Sequence, residues 1–232
     1  MEHKSNKIIA LEFYKKVIGE RDDSLIDLYV SDEYIQHSPM LKQSKAALKE
    51  AIEFLKQIPK KVDQKSPVVF ALEDNDYVAL GLSFEFMGKH KFVIDLFRLE
   101  HGKLVEHWDA IQDVSDPAGT MAFSTLSAQS GDAVDTLANK SFIRKVFSEP
   151  RENKSDAPST KDFRSHLSDR QKVKVHRVLG EGNLVVVQSE GIRHGKPFVF
   201  YDAIRVDDCA VVAHWTVEQQ IPDTMPHENG MI

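Results

Sequence analysis

The sequence predicts an α+β protein with two tandem copies of one domain, each with helices packed on an antiparallel sheet. Three observations lead there. In the first half, apolar residues recur at helical spacing before Pro59 and in β-prone runs after it, the order of an α+β domain. Residues 92–113, FVIDLFRLEHGKLVEHWDAIQD, read as a β-hairpin turning at Glu100-His101-Gly102-Lys103. Lastly, VIDLFRLEHGKLVEHWD (93–109) aligns without gaps with FYDAIRVDDCAVVAHWT (200–216), so one supersecondary unit occurs twice.

Along the chain, Ile8, Leu11, Tyr14/Lys15 and Ile18 predict an amphipathic helix over 4–18, and a short second helix follows at 24–29. Pro39 biases Ser38 away from helix, which leaves His37 of Tyr34-Ile35-Gln36-His37-Ser38-Pro39 near an element end or in a loop. Ser44 caps a third helix with the stripe Leu48, Ala51, Ile52, Leu55 and Ile58, stopped by Pro59. Strands at 68–72 and 77–86 flank the turn residues Asp74-Asn75-Asp76 and lead into the hairpin. Composition then shifts to Ser, Asp, Gly and Thr. The expected division is a first domain at 1–116, a linker at 117–133 and a second domain at 134–232.

With Gly102 central in a three-residue, bulged loop, opposed hairpin residues have numbers summing to 204. Asp95 then faces Asp109, Phe97 faces His107, Arg98 faces Glu106 and Leu96 faces Trp108. Alternation puts Val93, Asp95, Phe97, Val105, His107, Asp109 and Ile111 on one face. Ile94, Leu96, Arg98, Glu106, Trp108 and Ala110 take the other.

In the second copy Asp202 matches Asp95, Arg205 matches Arg98, and His214-Trp215 match His107-Trp108. Asn139-Lys140 repeat Asn6-Lys7 ahead of the first helix. The same register sets Asp202 against Thr216 and Arg205 against Ala213, so the acid–acid and arginine–glutamate pairs are gone. A polar loop at 148–160 stands where the first copy has further helices, and nothing there matches 34–39. Any chemistry belongs to the first half.

At 41% apolar and 28% charged, 232 residues suffice for a packed core. A net charge of −6 argues against nucleic-acid binding. Cys209, alone, excludes an internal disulfide and argues against a cysteine-based zinc site. No run approaches the 18 or so apolar residues of a membrane span, and the expectation is a cytoplasmic protein.

Two aspartates facing each other on an apolar sheet face are the candidate chemistry. As cross-strand neighbours their Cβ atoms stand roughly 5 Å apart, and both cannot ionise cheaply in a dry pocket. Such a pair can take a proton from carbon beside a carbonyl and return one to oxygen. Asp109 and Asp95 are therefore the candidate catalytic residues, with His37, His107, Phe97 and Tyr34 as the substrate-binding set. The alternative is that each aspartate only hydrogen-bonds backbone or a histidine. His37, Asp95 and His107 would suit a two-histidine, one-carboxylate metal site, but nothing in their spacing demands one. No metal and no cofactor are expected.

YIQHSP (34–39), Asp95-Leu96-Phe97-Arg98 and GKLVEHWDAIQD (102–113) resemble the SnoaL-like polyketide cyclase family, within the nuclear transport factor 2-like fold. The closing run MPHENGMI (225–232) looks like the family too. The chain departs from it at Met40-Leu41-Lys42-Gln43, where relatives often carry a glycine. The resemblance implies two cone-shaped, cystatin-like domains, the second degenerate, with helices closing a curved sheet over a pocket. It also implies cofactor-free aldol-type chemistry with Asp109 as acid and base. The expected function is a cyclase- or isomerase-like reaction on a small apolar carbonyl compound; the alternative is a non-catalytic ligand-binding or protein-interaction module. The Trp108 face is a dimer surface in that fold, so the two halves are expected to pack as an intrachain pseudo-dimer. The alternative is tethered domains that each pair with another copy in a homodimer.

Overall fold

The computed structural model describes residues 4–59, 66–114, 133–149 and 157–232; the expected linker lies, apart from Ala133, outside them. Ser5 caps α1 (Asn6–Phe13) by accepting from the Ile8 N–H, and the helix continues into a π-helical turn at Tyr14–Gly19. Asp22 caps a 3₁₀ turn (Asp23–Leu25) that passes into α2 (Ile26–Tyr29), the expected short second helix. After β1 (Val30–Gln36), Ser44 caps α3 (Lys45–Lys56), which buries Ala47, Leu48 and Ile52. Four antiparallel strands follow: β2 (Val68–Asp74), β3 (Tyr77–Phe86), β4 (Lys89–Glu100) and β5 (Lys103–Val114).

The sheet order is β1-β5-β4-β3-β2, with β1 parallel to β5. Sequence reading has no strand at 30–36, because Ser31-Asp32-Glu33 interrupt its apolar pattern. The strand forms because Val30, Tyr34 and Gln36 still fall on one buried face.

The hairpin register is as expected: Asp95 opposes Asp109, Phe97 opposes His107, Arg98 opposes Glu106 and Leu96 opposes Trp108. The turn is not. His101 (φ 51) and Gly102 (φ 76) are both left-handed, a two-residue turn whose twist matches the strands. The bulge falls instead between Arg98 and Leu99, where Leu99 already opposes Leu104. Leu104 therefore joins the inner core. Val105, expected on the aspartate face, lines a surface groove with Ile35 and Arg98.

The second domain has α4 (Ala133–Ser148), α5 (Pro158–His166) and the sheet β6 (Gln171–Glu181), β7 (Leu184–Arg193), β8 (Lys196–Asp207), β9 (Ala210–Gln220), in that order. Asp202 opposes Thr216 and Arg205 opposes Ala213, as the register predicts. The stretch read as a loop to residue 160 is helical from Pro158. Proline suits the first turn, where its missing N–H is not needed, and Phe163 anchors the helix in the core.

Each domain packs its helices on one face of its own sheet. The opposite faces share one core: Phe92, Ile94, Leu96, Trp108 and Ala110 with Leu179, Val186, Val199, Tyr201, Ala203 and Val217. Contacts across it are reciprocal. Lys7 pairs with Glu181, and its match Lys140 pairs with Asp74, the match of Glu181. The Glu73 N–H donates to Glu181 and the Gly180 N–H to Asp74. The Ile111 N–H donates to Gln219 and the Glu218 N–H to Gln112. Every member of these pairs has its counterpart in the other half of the chain.

Trp108 is the keystone of this core, 1% exposed, with the Arg177 guanidinium 4.0 Å over its ring. Its indole N–H has no hydrogen-bond partner among the described residues. Trp108→Ala is expected to cost about 3–5 kcal/mol. Trp108→Phe, which gives up only an unpaired N–H and part of the ring, should cost well under half of that in urea unfolding.

Candidate active site

The aspartate face of the first sheet turns toward the helices. Asp95, His107 and Asp109 are 6%, 7% and 5% exposed there, among Phe13, Val17, Tyr34, Val93 and Phe97. Phe97 stacks on the His107 ring at 4.7 Å.

A chain of hydrogen bonds fixes His107. Gln36 Oε1 accepts from the Ser38 backbone N–H at 2.8 Å, which identifies that atom as the oxygen. His107 Nδ1, 2.9 Å from the same oxygen, must then carry a proton and donate. His107 Nε2 lies 3.2 Å from Asp95 Oδ1. Burial opposes charge on the imidazole, but its bond to Asp95 and the charges of Asp95 and Asp109 outweigh it and hold its pKa above the ordinary value. The other end of the chain is Gln36 Nε2, donating to the Tyr34 hydroxyl at 3.3 Å.

Asp109 is different. Burial pushes its carboxyl up to about 6, Asp95 adds to the rise, and His107 and the Ser38 side chain offset part of it. Its Oδ1 is buried without a hydrogen-bond partner among the described residues. Asp95 is thus engaged with His107, while Asp109 holds an uncommitted oxygen and titrates near neutrality. Tyr34 is buried and Tyr14 partly buried near both carboxyls. Burial first, and the two negative charges second, push their hydroxyls well above the ordinary phenol value.

His37 does not join this group. Alternation along β1 sends Tyr34, Gln36 and Ser38 inward and His37 through to the other face. There its ring stacks on Trp108 at 4.8 Å, Nδ1 donates to the Gly230 carbonyl at 3.0 Å, and Nε2 lies 2.9 Å from Glu106. The expectation that His37 orients substrate with the aspartates is corrected, and with it the His37–Asp95–His107 metal set. Ligand atoms of Asp95, His107 and Asp109 do lie within 4.8 Å of one another. Binding an ion there would require any proton between His107 Nε2 and Asp95 Oδ1 to be given up.

Sequence reasoning missed Tyr14, Gln36 and Ser38 as site residues. The period-two set Tyr34, Gln36, Ser38 signals them once 34–38 is read as extended chain. Tyr14 opens the π-helical turn, a distortion frequent at functional sites and not visible in an apolar pattern.

In the second domain the corresponding face is closed. Asp202, fully buried, receives two hydrogen bonds from Arg170, at 2.7 and 2.8 Å, and one from Thr216 at 2.5 Å. Arg170 also lies 4.2 Å over the Phe200 ring. His214, the match of His107, packs against Phe163 and His166.

Among the described residues no helix is long and apolar enough to cross a membrane. No family model and no curated protein matches the chain. Solved structures similar to it include IdmH from Streptomyces antibioticus, described as "a putative polyketide cyclase". It is 15% identical at a TM-score of 0.39, over 52% of this chain and 98% of that one. TsrD from Streptomyces laurentii is 17% identical at 0.37, over 48% and 92%. A protein from Acidithiobacillus ferrooxidans, also described as "a putative polyketide cyclase", is 18% identical at 0.37, over 55% and 100%.

Proposed function

We propose that the first domain is a cofactor-independent acid–base enzyme, cyclase- or isomerase-like, acting on a small apolar carbonyl compound. The observation that carries this reading is Asp109: buried, with a free oxygen and a pKa of about 6, where a carboxylate is both a competent base and a competent acid near neutral pH. In this reading Asp109 removes a proton from the carbon beside the carbonyl and returns it at oxygen or at a second carbon. Asp95 and His107 form an engaged, nearly neutral pair that keeps a second full negative charge away from Asp109. Tyr14, held protonated, supplies a donor for the developing oxyanion, and Tyr34 and Phe97 line the substrate. The second domain serves as a non-catalytic partner in an intrachain pseudo-dimer, a reading supported by the reciprocal interface and by the closed Asp202 site.

Carbon-detected NMR titration of the Asp109 carboxyl tests the reading with no substrate in hand. A midpoint near 6 is the expected result. A midpoint near the ordinary value of about 4 would sink acid–base catalysis and leave a ligand-binding module.

A further inference from the structure

The chain after β9 does not end on its own domain. Residues 221–232 run back to the first domain and fasten the segment that carries Gln36 and Ser38. Asn229 Nδ2 donates to the Gln36 carbonyl at 2.9 Å and to Gln43 Oε1 at 2.6 Å. The Gly230 carbonyl accepts from His37, His227 Nε2 donates to the Ser38 carbonyl at 2.8 Å, and Met231 is buried in the core between the sheets.

These bonds matter because β1 is an edge strand, paired on one side only with β5. On its open side Gln43 takes the place of a neighbouring strand, accepting from the Gln36 N–H at 2.9 Å and donating to the Tyr34 carbonyl at 2.7 Å. Asn229 extends that edge by donating to the Gln36 carbonyl. Gln36 is thereby held through its N–H by Gln43, through its carbonyl by Asn229, and through Oε1 by Ser38. Its amide is left aimed at His107 Nδ1.

We propose that Asn229 is a positioning residue: the tail of the second domain holds Gln36 so that its amide oxygen keeps the Nδ1 proton on His107 and directs Nε2 to Asp95. This rests on the acid–base reading of the same site and adds to it a contribution from the second domain. The acceptor is what fixes the tautomer, since an imidazole facing Asp95 alone has no reason to keep its proton on the far nitrogen. A slack strand end lets the amide move or rotate, and the proton then redistributes. Asn229 itself is exposed and touches neither carboxylate, so its effect reaches the site only through Gln36.

The test is ¹⁵N NMR of the His107 ring across pH in the full chain, for the parent, Asn229→Ala and Asn229→Asp. The Asp variant keeps the shape but presents oxygens to two acceptors, and it decides the matter should the Ala variant fold poorly. The expected result is a His107 midpoint lower by about 0.5–1 pH unit, a three- to ten-fold change in proton affinity, with mixed tautomers at high pH. His214 and His166 in the second domain should be unmoved. His107 signals identical to the parent in a folded variant overturn the proposal. An ordinary Asp109 midpoint in the parent overturns instead the acid–base reading, so the two failures are told apart.

Discussion

Asp109→Asn is expected to remove activity and add stability. On a panel of ketones and 1,3-dicarbonyl compounds, exchange of the acidic C–H in deuterium oxide should fall by about 10²–10⁴, the usual contribution of a positioned acid–base group. The stability effect has a definite sign. In the unfolded chain Asp109 titrates near 3.9; in the fold it titrates at about 6. The folded state binds the proton more tightly, so the parent loses stability as pH rises from about 4 to about 6, by up to about 3 kcal/mol. Asparagine has no proton to lose. The variant should be more stable than the parent by about 1–3 kcal/mol at pH 7, and the advantage should vanish below pH 4. The lower end allows for the charge that Asp109 gives back to His107. Urea unfolding at pH 4 and pH 7 measures both; a variant less stable at pH 7 than the parent means that Asp109 serves the fold.

Arg170→Met should destabilise more than any surface change in the second domain. Arg170 is 1% exposed and Asp202 is 0% exposed, so the variant strands a buried carboxylate with only Thr216 to satisfy it. Removing one partner of such a pair costs about 3–5 kcal/mol. Replacing both, as Arg170→Met with Asp202→Leu, leaves no uncompensated charge and should recover most of the loss. Urea unfolding of the two variants supplies the comparison. If the single variant loses under 1 kcal/mol, the pair is not the lock on that face. Both variants should leave the His107 resonances in place, because the two sites lie on opposite outer faces of the shared core.

How much of this was legible in the sequence depends on the range of the interaction. The hairpin register could be read directly, because Arg98–Glu106 and the alternation of apolar residues admit one pairing of β4 with β5. Asp95 against Asp109 followed, and so did the loss of that pair at Asp202 and Thr216. The turn was misread while the register was right. The sum of loop and bulge residues was constrained, but their division was not, since Gly102 permits either geometry. His37 was misplaced for a related reason. Its neighbours Ser38-Pro39 place it near an element end or in a loop, where the direction of a side chain is open; it follows directly on β1, whose parity sends it away from the aspartates.

The sequence by itself determined the fold class, the pairing of the aspartates and which half keeps them, because these depend on patterns within about 25 residues. Only the tertiary structure decided the states of the acids. Burial of Asp109 with one oxygen unpartnered among the described residues, the diversion of Asp95 to His107, and the locking of Asp202 by Arg170 arise from groups far apart in the chain. So does the reach of Asn229 to Gln36, across 193 residues of chain. Desolvation and hydrogen bonding are properties of an enclosed volume, and no local run of sequence specifies what encloses it.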